Sequence, residues 1–324
     1  MDEFAVIRDY FTRPPGPAAG ARVGVGDDAA VLIVAPGREL VVTTDVLVAG
    51  RHFPVDTDPF SIGHKSLAVN LSDLAAMGAE PAWFTLGLAI PAADPDWLSG
   101  FSRGLFQLAD RFGVSLVGGD TVSGPLTVAI QAAGTAPAGT AVLRRGAAPG
   151  DRIYVTGTVG DAGLALAVLA GGAPAVSNGD LAWLRARLER PLPRVREGIA
   201  LRGLASAMID VSDGVAADLG HVLEASGVAA RVQLESLPLS DAVRRSTPRN
   251  AAAAALCAGD DYELCFTVAA TAERRALDAL CALECPCTRI GDIVAGAGLQ
   301  VLDAQGRELA VPRAGFDHFA GPAT

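Results

Sequence analysis

One stretch of the sequence, residues 63–79, constrains the fold more than any other. Its leucines Leu67, Leu71 and Leu74 recur at intervals of three and four residues, which predicts a helix with one buried face. The same stretch carries Asp73 and Lys65, the only lysine in the sequence. A helix of this kind either uses its charges at its ends or contributes to a functional site, and the rest of the sequence favours a site.

Composition predicts a soluble, cytoplasmic protein of about two domains. The chain has 324 residues, of which 50% are hydrophobic, and a formal net charge of −10. A nucleic-acid surface needs clustered Lys and Arg, so nucleic acid is not an expected partner. No apolar run reaches the length of a membrane span, and residues 1–12 lack the pattern of a signal peptide, so no membrane association is expected. The five cysteines begin at Cys257 and are expected to be free thiols.

The order of the predicted elements indicates an α+β fold, because strands and helices are mixed in both halves at irregular spacing. A stretch rich in Gly, Ala, Pro and Arg at 137–149 predicts a domain boundary, which gives domains 1–137 and 138–324. Asp161 is expected to cap the helix that follows it. Strands are predicted at 39–44, 83–90, 114–117, 126–134, 152–156, 207–209 and 264–268, and helices at 4–11, 63–79, 96–112, 215–225 and 251–256; the arginine-rich stretch 185–196 is placed on the surface.

Six places in the chain repeat one pattern, in which a strand or helix leads to an aspartate beside Gly, Ser, Thr or a second Asp. Short carboxylates and hydroxyls on rigid elements suit Mg²⁺. Carboxylates that converged without a cation would repel one another and have raised pKa values. Any one of them could instead be a turn residue or a helix cap, Asp213 above all. The six places are 27–28, 43–45, 70–73, 119–120, 210–213 and 260–261.

Three basic or polar residues are further candidates. His52 lies in a glycine-bearing loop and either contacts a ligand or is solvated. Arg144 is either an exposed charge at the domain boundary or a phosphate clamp. Lys65 pairs with either a carboxylate or a phosphate. Neither a dinucleotide fingerprint nor a P-loop motif is present in the sequence.

Motifs over most of the chain resemble the thiamine-monophosphate kinase family of the aminoimidazole-ribonucleotide-synthetase superfamily. The stretch Asn-Leu-Ser-Asp-Leu-Ala-Ala-Met-Gly-Ala is typical of the superfamily, whereas the His52 loop and Gly-Phe-Asp-His-Phe are typical of the kinases. One difference is Asp260, where family members commonly have Glu. The motifs that carry the resemblance lie at 25–30, 43–45, 65–79, 118–120, 150–157, 210–214, 260–264 and 315–319.

The resemblance implies an architecture and a set of site residues. The N-terminal domain would form a homodimer through a shared β-barrel with flanking helices, and a C-terminal α/β-type domain would pack against it. ATP would lie between the domains, held by several Mg²⁺ ions. By resemblance, the metal ligands would be Asp28, Thr43, Thr44, Asp45, Asp73, Asp120, Asp210 and Asp213; Gly119, Asp120, Arg144 and Ser212 would contact ATP; and His52, Asp261 and Phe316 would contact thiamine monophosphate.

The implied reaction transfers the γ-phosphoryl group of ATP to thiamine monophosphate, the last step of thiamine diphosphate synthesis. Because the nucleophile is an ionised phosphate oxygen, no general base is needed, and no catalytic side chain is assigned. Two other reactions of the superfamily remain as alternatives: amide activation in purine synthesis, and selenophosphate synthesis. The second would need a reactive cysteine near the N-terminus, and no cysteine precedes residue 257. A non-catalytic subunit or maturation partner of the same fold is a third alternative.

Overall fold

The structure, a computed structural model, describes residues 2–13, 20–172, 176–246 and 251–310. They form two compact units. The first consists of Met1–Ala141 with Glu189–Val195, and the second of Val142–Leu188 with Arg196–Thr324. No helix among the described residues is long and apolar enough to cross a membrane.

The first unit is built on a four-stranded sheet of order β3-β6-β4-β5, in which only β4 and β5 are parallel. Within the described residues this sheet is open, with β3 and β5 at its edges. Its elements are α1 (Glu3–Val6) with a π-helical turn (Ile7–Phe11), β1 (Ala21–Val23), β2 (Val31–Leu32), β3 (Arg38–Val48), α2 (Pro59–Ala76), β4 (Glu80–Ile90), α3 (Pro95–Phe112), β5 (Ser115–Ser123) and β6 (Thr127–Pro137).

Helix α2 is the predicted helix at 63–79, and it is buried on nearly every side. Asp58 begins it by accepting a hydrogen bond from the Ser61 amide at 3.1 Å, as an N-cap residue does. Helix α3 packs very closely against it: a Cβ at Gly63 would lie 2.1 Å from the Phe101 carbonyl oxygen. Only glycine permits this approach, so the backbones of the two helices lie in direct contact.

The second unit contains a seven-stranded sheet of order β13-β12-β9-β11-β7-β10-β8, antiparallel except for the pair β9 and β12. Its core includes Val155, Ile209 and Leu219, each almost fully buried. The elements are β7 (Arg152–Thr156), α4 (Asp161–Leu169), α5 (Asn178–Glu189), α6 (Val195–Leu201), β8 (Ala207–Asp210), α7 (Val215–Ser226), β9 (Ala229–Gln233), α8 (Asp241–Ser246), α9 (Ala251–Cys257), β10 (Leu264–Val268), α10 (Glu273–Cys281), β11 (Cys287–Val294), β12 (Gly298–Leu302) and β13 (Glu308–Leu309).

Mixed strands and helices in two units confirm the coarse prediction of fold class. Three predicted strand ends are wrong: β3 continues past residue 44 to Val48, β6 continues past residue 134 to Pro137, and the strand expected to stop at residue 117 continues as β5 to Ser123. Strand β5 continues because residues 118–123 keep a parallel register with β4, with Gly119 opposite Leu86. A Cβ at Gly119 would lie 2.0 Å from the Leu86 carbonyl oxygen, so glycine is what allows the pairing at that point.

Candidate active site

In the first unit, β3 and α2 bring two carboxylates and a hydroxyl together. The Thr43 hydroxyl donates a short hydrogen bond to Asp73 Oδ2. Asp45 follows two residues later, on the same side of the strand. Burial, and then the negative charge of Asp73, raise the pKa of Asp45 to about 7. A partly buried carboxylate beside a second carboxylate is stabilised by a cation.

Thr44 points the other way. Successive side chains of a strand alternate between its faces, so Thr44 lies on the face opposite Thr43 and Asp45. Its hydroxyl is exposed and accepts a 3.5 Å hydrogen bond from Gln131 Nε2. Its side chain therefore does not join Asp73. The alternation was already readable in the sequence, where 43–45 was treated as a single group.

Two more predicted ligands of the first unit are exposed. Asp28 lies between β1 and β2, and its amide donates to Asp27 Oδ1 at 2.9 Å. Asp120 lies on the edge strand β5. With Gly119 it lines a small pocket of about 30 Å³ that has apolar walls, among them Ile7 and Phe11. The roles of Asp28 and Asp120 as metal ligands stay predictions.

His52 lies in a tight turn after β3. The Val48 amide donates to His52 Nδ1 at 3.0 Å, so in the neutral ring the proton is carried by Nε2. The turn is supported from α2 by Lys65, which is 2% exposed and donates from Nζ to the His52 carbonyl oxygen at 3.4 Å. This backbone contact adds a third possibility to the carboxylate or phosphate predicted for Lys65.

In the second unit, the turn after β8 carries Asp210, Ser212 and Asp213. The amides of Ser212 and Asp213 both donate to Asp218 Oδ2 at 3.0 Å. Burial raises the pKa of Asp218 to about 7; nearby Asp213 also raises this pKa, whereas the two amide donors and Arg144 lower it. Arg144 is thus close enough to this turn to act on it electrostatically.

Asp213 is not the cap of α7. The N-cap residue of this helix is Gly214, so Asp213 lies one position before the cap. The alternative that the sequence left open for Asp213 is therefore wrong.

The loop 259–263 is hydrogen-bonded to this turn along its backbone. The amides of Asp260 and Tyr262 donate to the carbonyl oxygens of Ser212 and Val211, both at 2.8 Å. Asp260 and Tyr262 have φ angles of 67° and 52°, a left-handed conformation that costs a side-chain-bearing residue on the order of 1–3 kcal/mol. The surrounding contacts hold the loop in this strained form.

Asp261 lies at the centre of that loop and is 1% exposed. Its carboxylate accepts hydrogen bonds from the amides of Gly160 at 2.7 Å and Ala162 at 3.4 Å, so it satisfies the start of α4 from a distant part of the chain. Burial raises its pKa well above the usual range. The prediction that Asp161 caps α4 is wrong. The predicted contact of Asp261 with a substrate stays a prediction.

Asp161 belongs instead to a buried ionic cluster that sequence reasoning missed. It is fully buried and accepts hydrogen bonds from Thr158 Oγ1 at 2.7 Å and Trp183 Nε1 at 3.3 Å. Arg187 of α5 lies beside it and pairs with Glu263 at 2.8 Å. The stretch 185–196 was placed on the surface because of its arginines, and this is wrong for Arg187.

The donor set of the first unit fits Mg²⁺. Among the described residues, no group of three or more His, Cys, Asp and Glu side chains is arranged to hold a metal ion. However, Mg²⁺ keeps several water ligands and binds through one or two carboxylates together with substrate phosphates. Asp45 and Asp73 supply two carboxylates for such a site, and the Thr43 hydroxyl adds a third oxygen. Phe316 lies outside the described residues, so its predicted role has no structural counterpart.

Comparisons with known proteins agree with this fold. The sequence matches the family "AIR synthase related protein", N-terminal domain, over residues 26–136 and its C-terminal domain over 148–304. It is 46% identical to the thiamine-monophosphate kinase of Escherichia coli (strain K12), over 99% of both chains. A crystal structure of thiamine-monophosphate kinase from Stenotrophomonas maltophilia K279a is 49% identical, with a TM-score of 0.83 over 87% of this chain and 91% of that one.

A third comparison includes ligands. The structure named "AaThiL complexed with AMPPCP and TMP" is 30% identical to this chain and has a TM-score of 0.77. The match covers 91% of this chain and 92% of that one. The similarity therefore spans both units of the fold.

Proposed function

Because this chain belongs to the thiamine-monophosphate kinases, within the AIR synthase related proteins, we propose how its own residues carry out that reaction. The protein transfers the γ-phosphoryl group of ATP to the phosphate of thiamine monophosphate, which yields thiamine diphosphate and ADP. We propose which residues serve this transfer, which of them bind Mg²⁺, and how two copies of the chain assemble.

One observation carries the proposal: Asp45 lies within electrostatic range of Asp73, whose carboxylate accepts a hydrogen bond from the Thr43 hydroxyl. Each is a hard oxygen donor on a rigid element, which is the arrangement that Mg²⁺ uses beside substrate phosphates. When bound, Mg²⁺ would offset the repulsion between the two substrates, since two unit charges 4 Å apart repel by about 4 kcal/mol at an effective dielectric of 20.

The residues of this chain act by positioning rather than by proton transfer. The accepting phosphate has a second pKa of about 6, so it is ionised at neutral pH without a base. The Val48 amide donates to His52 Nδ1, which fixes the ring within the turn after β3. A ring held in this way supports the predicted role of His52 in binding thiamine monophosphate.

The proposal also includes the remaining predicted substrate contacts and metal ligands. They are contacts of Gly119, Asp120, Arg144 and Ser212 with ATP, contacts of Asp261 and Phe316 with thiamine monophosphate, and ligation of several Mg²⁺ ions by Asp28, Thr44, Asp120, Asp210 and Asp213 in addition to the first-unit set. For Thr44, whose hydroxyl lies on the face opposite Asp45, the backbone carbonyl oxygen is the proposed ligand.

We further propose that the protein is a homodimer that completes a β-barrel. The outer face of β3 carries Leu40, Val42, Val46 and Val48, which are 36–50% exposed. A contiguous apolar sheet face is unfavourable in water, and a second copy of the same face would cover it. Val42→Lys is expected to convert the dimer to a monomer in sedimentation equilibrium; a monomeric wild-type protein would contradict the proposal.

Turnover with the acceptor tests the function directly. ADP release is expected with ATP, Mg²⁺ and thiamine monophosphate. No ADP release is expected when thiamine or formylglycinamidine ribonucleotide replaces thiamine monophosphate. Asp213→Asn is expected to lose most of this activity while its far-ultraviolet circular dichroism is unchanged. Near-normal turnover of this variant at saturating Mg²⁺ would remove Asp213 from the proposed metal set.

A further inference from the structure

Arg187 is the cation at the centre of the buried cluster in the second unit. It comes from α5, and its side chain is only 13% exposed. Its Nη2 donates to Glu263 Oε1 at 2.8 Å, to the Thr158 carbonyl oxygen at 3.2 Å and to the Asp261 carbonyl oxygen at 3.4 Å. Its Nε lies 3.6 Å from Asp161 Oδ2. One side chain therefore contacts the loop 259–263 at two positions.

The residues around Arg187 accommodate its side chain and its partner Glu263. Glu263 is 1% exposed, and its second oxygen accepts a 2.7 Å hydrogen bond from Thr156 Oγ1. Gly157 leaves room for it, since a Cβ there would lie 2.2 Å from Glu263 Oε1. A buried carboxylate is costly unless it is paired and hydrogen-bonded, and Arg187 Nη2 donates to Glu263 and to two backbone carbonyl oxygens. The rigid guanidinium plane fixes the position of this nitrogen, whereas the lysine ammonium is a point charge on a flexible chain.

The same loop holds the two strained residues. Asp260 and Tyr262 flank Asp261 in left-handed conformations, and such strain persists only where neighbouring contacts hold it in place. On one side the loop is held by its backbone bonds to Val211 and Ser212. Arg187 holds the other side, through Asp261 and Glu263.

The turn that carries Ser212 and Asp213 has separate support. Asp218 accepts hydrogen bonds from both of its amides, whereas Arg187 contacts Glu263, Asp161 and the carbonyl oxygens of Thr158 and Asp261. The two segments of the candidate site in this unit are thus held by different side chains, so that weakening one is expected to leave the other largely in place.

We propose that Arg187 is a positioning residue that holds the loop 259–263 in the conformation required to bind thiamine monophosphate. This inference rests on the proposed function for the identity of the ligand and for the contact of Asp261 with it. That Arg187 fixes the loop is a statement about the loop itself, and it can be measured without turnover.

Arg187→Lys is the first variant, because it keeps the positive charge beside Asp161 and Glu263 but loses the branched set of donors. The KM for thiamine monophosphate is expected to rise about tenfold, whereas the KM for ATP and kcat change less than about threefold. Arg185→Lys, at an exposed position of the same helix, is the matched control and is expected to match wild type. A lower melting temperature with an unchanged KM for thiamine monophosphate would overturn the inference.

The second measurement is amide hydrogen exchange at Asp260 and Tyr262, whose amides bond to Ser212 and Val211. Exchange there is expected to be about tenfold faster in Arg187→Lys than in wild type. If the wild-type protein released no ADP with thiamine monophosphate, the proposed function would fail, and the exchange rates would still decide the role of Arg187. Equal rates in both proteins would overturn it.

Should Arg187→Lys not fold, the double variant Arg187→Met with Glu263→Gln removes both charges of the closest pair, while Asp161 keeps its hydrogen bonds from Thr158, Trp183 and Ser240. It is expected to fold, to show the faster exchange and to bind thiamine monophosphate more weakly in calorimetry. Wild-type exchange and affinity in this double variant would show that the guanidinium does not position the loop.

Discussion

Each unit of the molecule contains buried or partly buried carboxylates, and the two units differ in what lies next to the negative charge. In the first unit, Asp45 has a second carboxylate, Asp73, as its main electrostatic neighbour, and its pKa is raised to about 7. In the second unit, Asp161 and Glu263 are almost fully buried beside Arg187. The first arrangement is suited to a cation that arrives with the substrates, whereas the second carries its own cation. Buried acids alone therefore do not mark a metal site; the charge of their neighbours does.

The largest expected effect is a loss of catalytic activity when a carboxylate of the first unit is neutralised. Asp73→Asn is expected to lower turnover at least about 100-fold, close to 3 kcal/mol of transition-state stabilisation, because a ligand of the proposed metal is lost. Stability should hold or rise, since repulsion with Asp45 is relieved while the amide oxygen still accepts from Thr43. Steady-state kinetics and urea denaturation measure both quantities.

The control for that variant is Asp110→Asn, which changes an exposed carboxylate paired with Arg13 and should retain full turnover. Equal activity of the two variants would contradict the assignment of Asp73. A large loss of stability in Asp73→Asn would show that the first unit, like the second, uses its carboxylates to hold the fold.

Asp161→Ala tests the second arrangement by stability. Loss of the carboxylate removes the acceptor of the Thr158, Trp183 and Ser240 donors and leaves Arg187 with less negative charge around it. Removing one partner of a buried ion pair costs about 3–5 kcal/mol, so the free energy of unfolding should fall by about 3 kcal/mol. In Asp278→Ala, which breaks an exposed pair with Arg274, the change should stay below about 1 kcal/mol. Similar values for both variants would mean that the cluster is not a stabilising unit.

Gly157→Ala tests the same cluster and is expected to lower the free energy of unfolding by about 2 kcal/mol. The added methyl would lie 2.2 Å from Glu263 Oε1, at a residue whose φ is +57°. Gly171→Ala is matched in conformation, at φ +74°, but meets nothing within 4 Å, so it should cost only about 1 kcal/mol. Thermal unfolding of the two variants isolates the contact with Glu263. Equal losses would show that the cluster can shift to make room.

The smallest effect concerns a buried base in the first unit. Burial lowers the pKa of His64, whose Nε2 lies 2.9 Å from the Pro191 carbonyl oxygen. Because the folded state takes up this proton less readily than the unfolded state, stability should decline as pH falls through about 6.5. In His64→Gln, the pH dependence of the unfolding free energy between pH 7 and 5 should be flatter. His221→Gln is the control, and an unchanged slope in His64→Gln would contradict the prediction.

Much of the fold was predictable from residue patterns. The helix at 63–79 followed from its leucine spacing, and the strands at 152–156 and 264–268 were confirmed at the predicted bounds. These elements depend on local periodicity and on burial, which the sequence displays directly. The strand β5 was cut short in the prediction, which ended it before Gly118 and Gly119, whereas pairing with the neighbouring strand β4 continues through both glycines.

The candidate site was predictable in its residue types but not in its partners. The motifs placed Asp45 and Asp73 in one group before their geometry was known, because acids beside Thr and Ser at the ends of elements are suited to Mg²⁺. Thr44 was grouped with them although strand alternation sends its side chain to the other face. Asp161 was read as the cap of its own helix, whereas Asp261, a hundred residues away in the chain, fills that role.

The sequence by itself determined which segments become helices and strands, which family the motifs resemble, and which acids are candidates for a metal. Only the tertiary structure decided which charges meet: that Asp45 lies within electrostatic range of Asp73, that Arg187 is buried against Glu263, and that Asp261 lies inside the protein. The physical reason is that local patterns report the burial of a face, whereas a charge takes its role from neighbours that are distant in the chain.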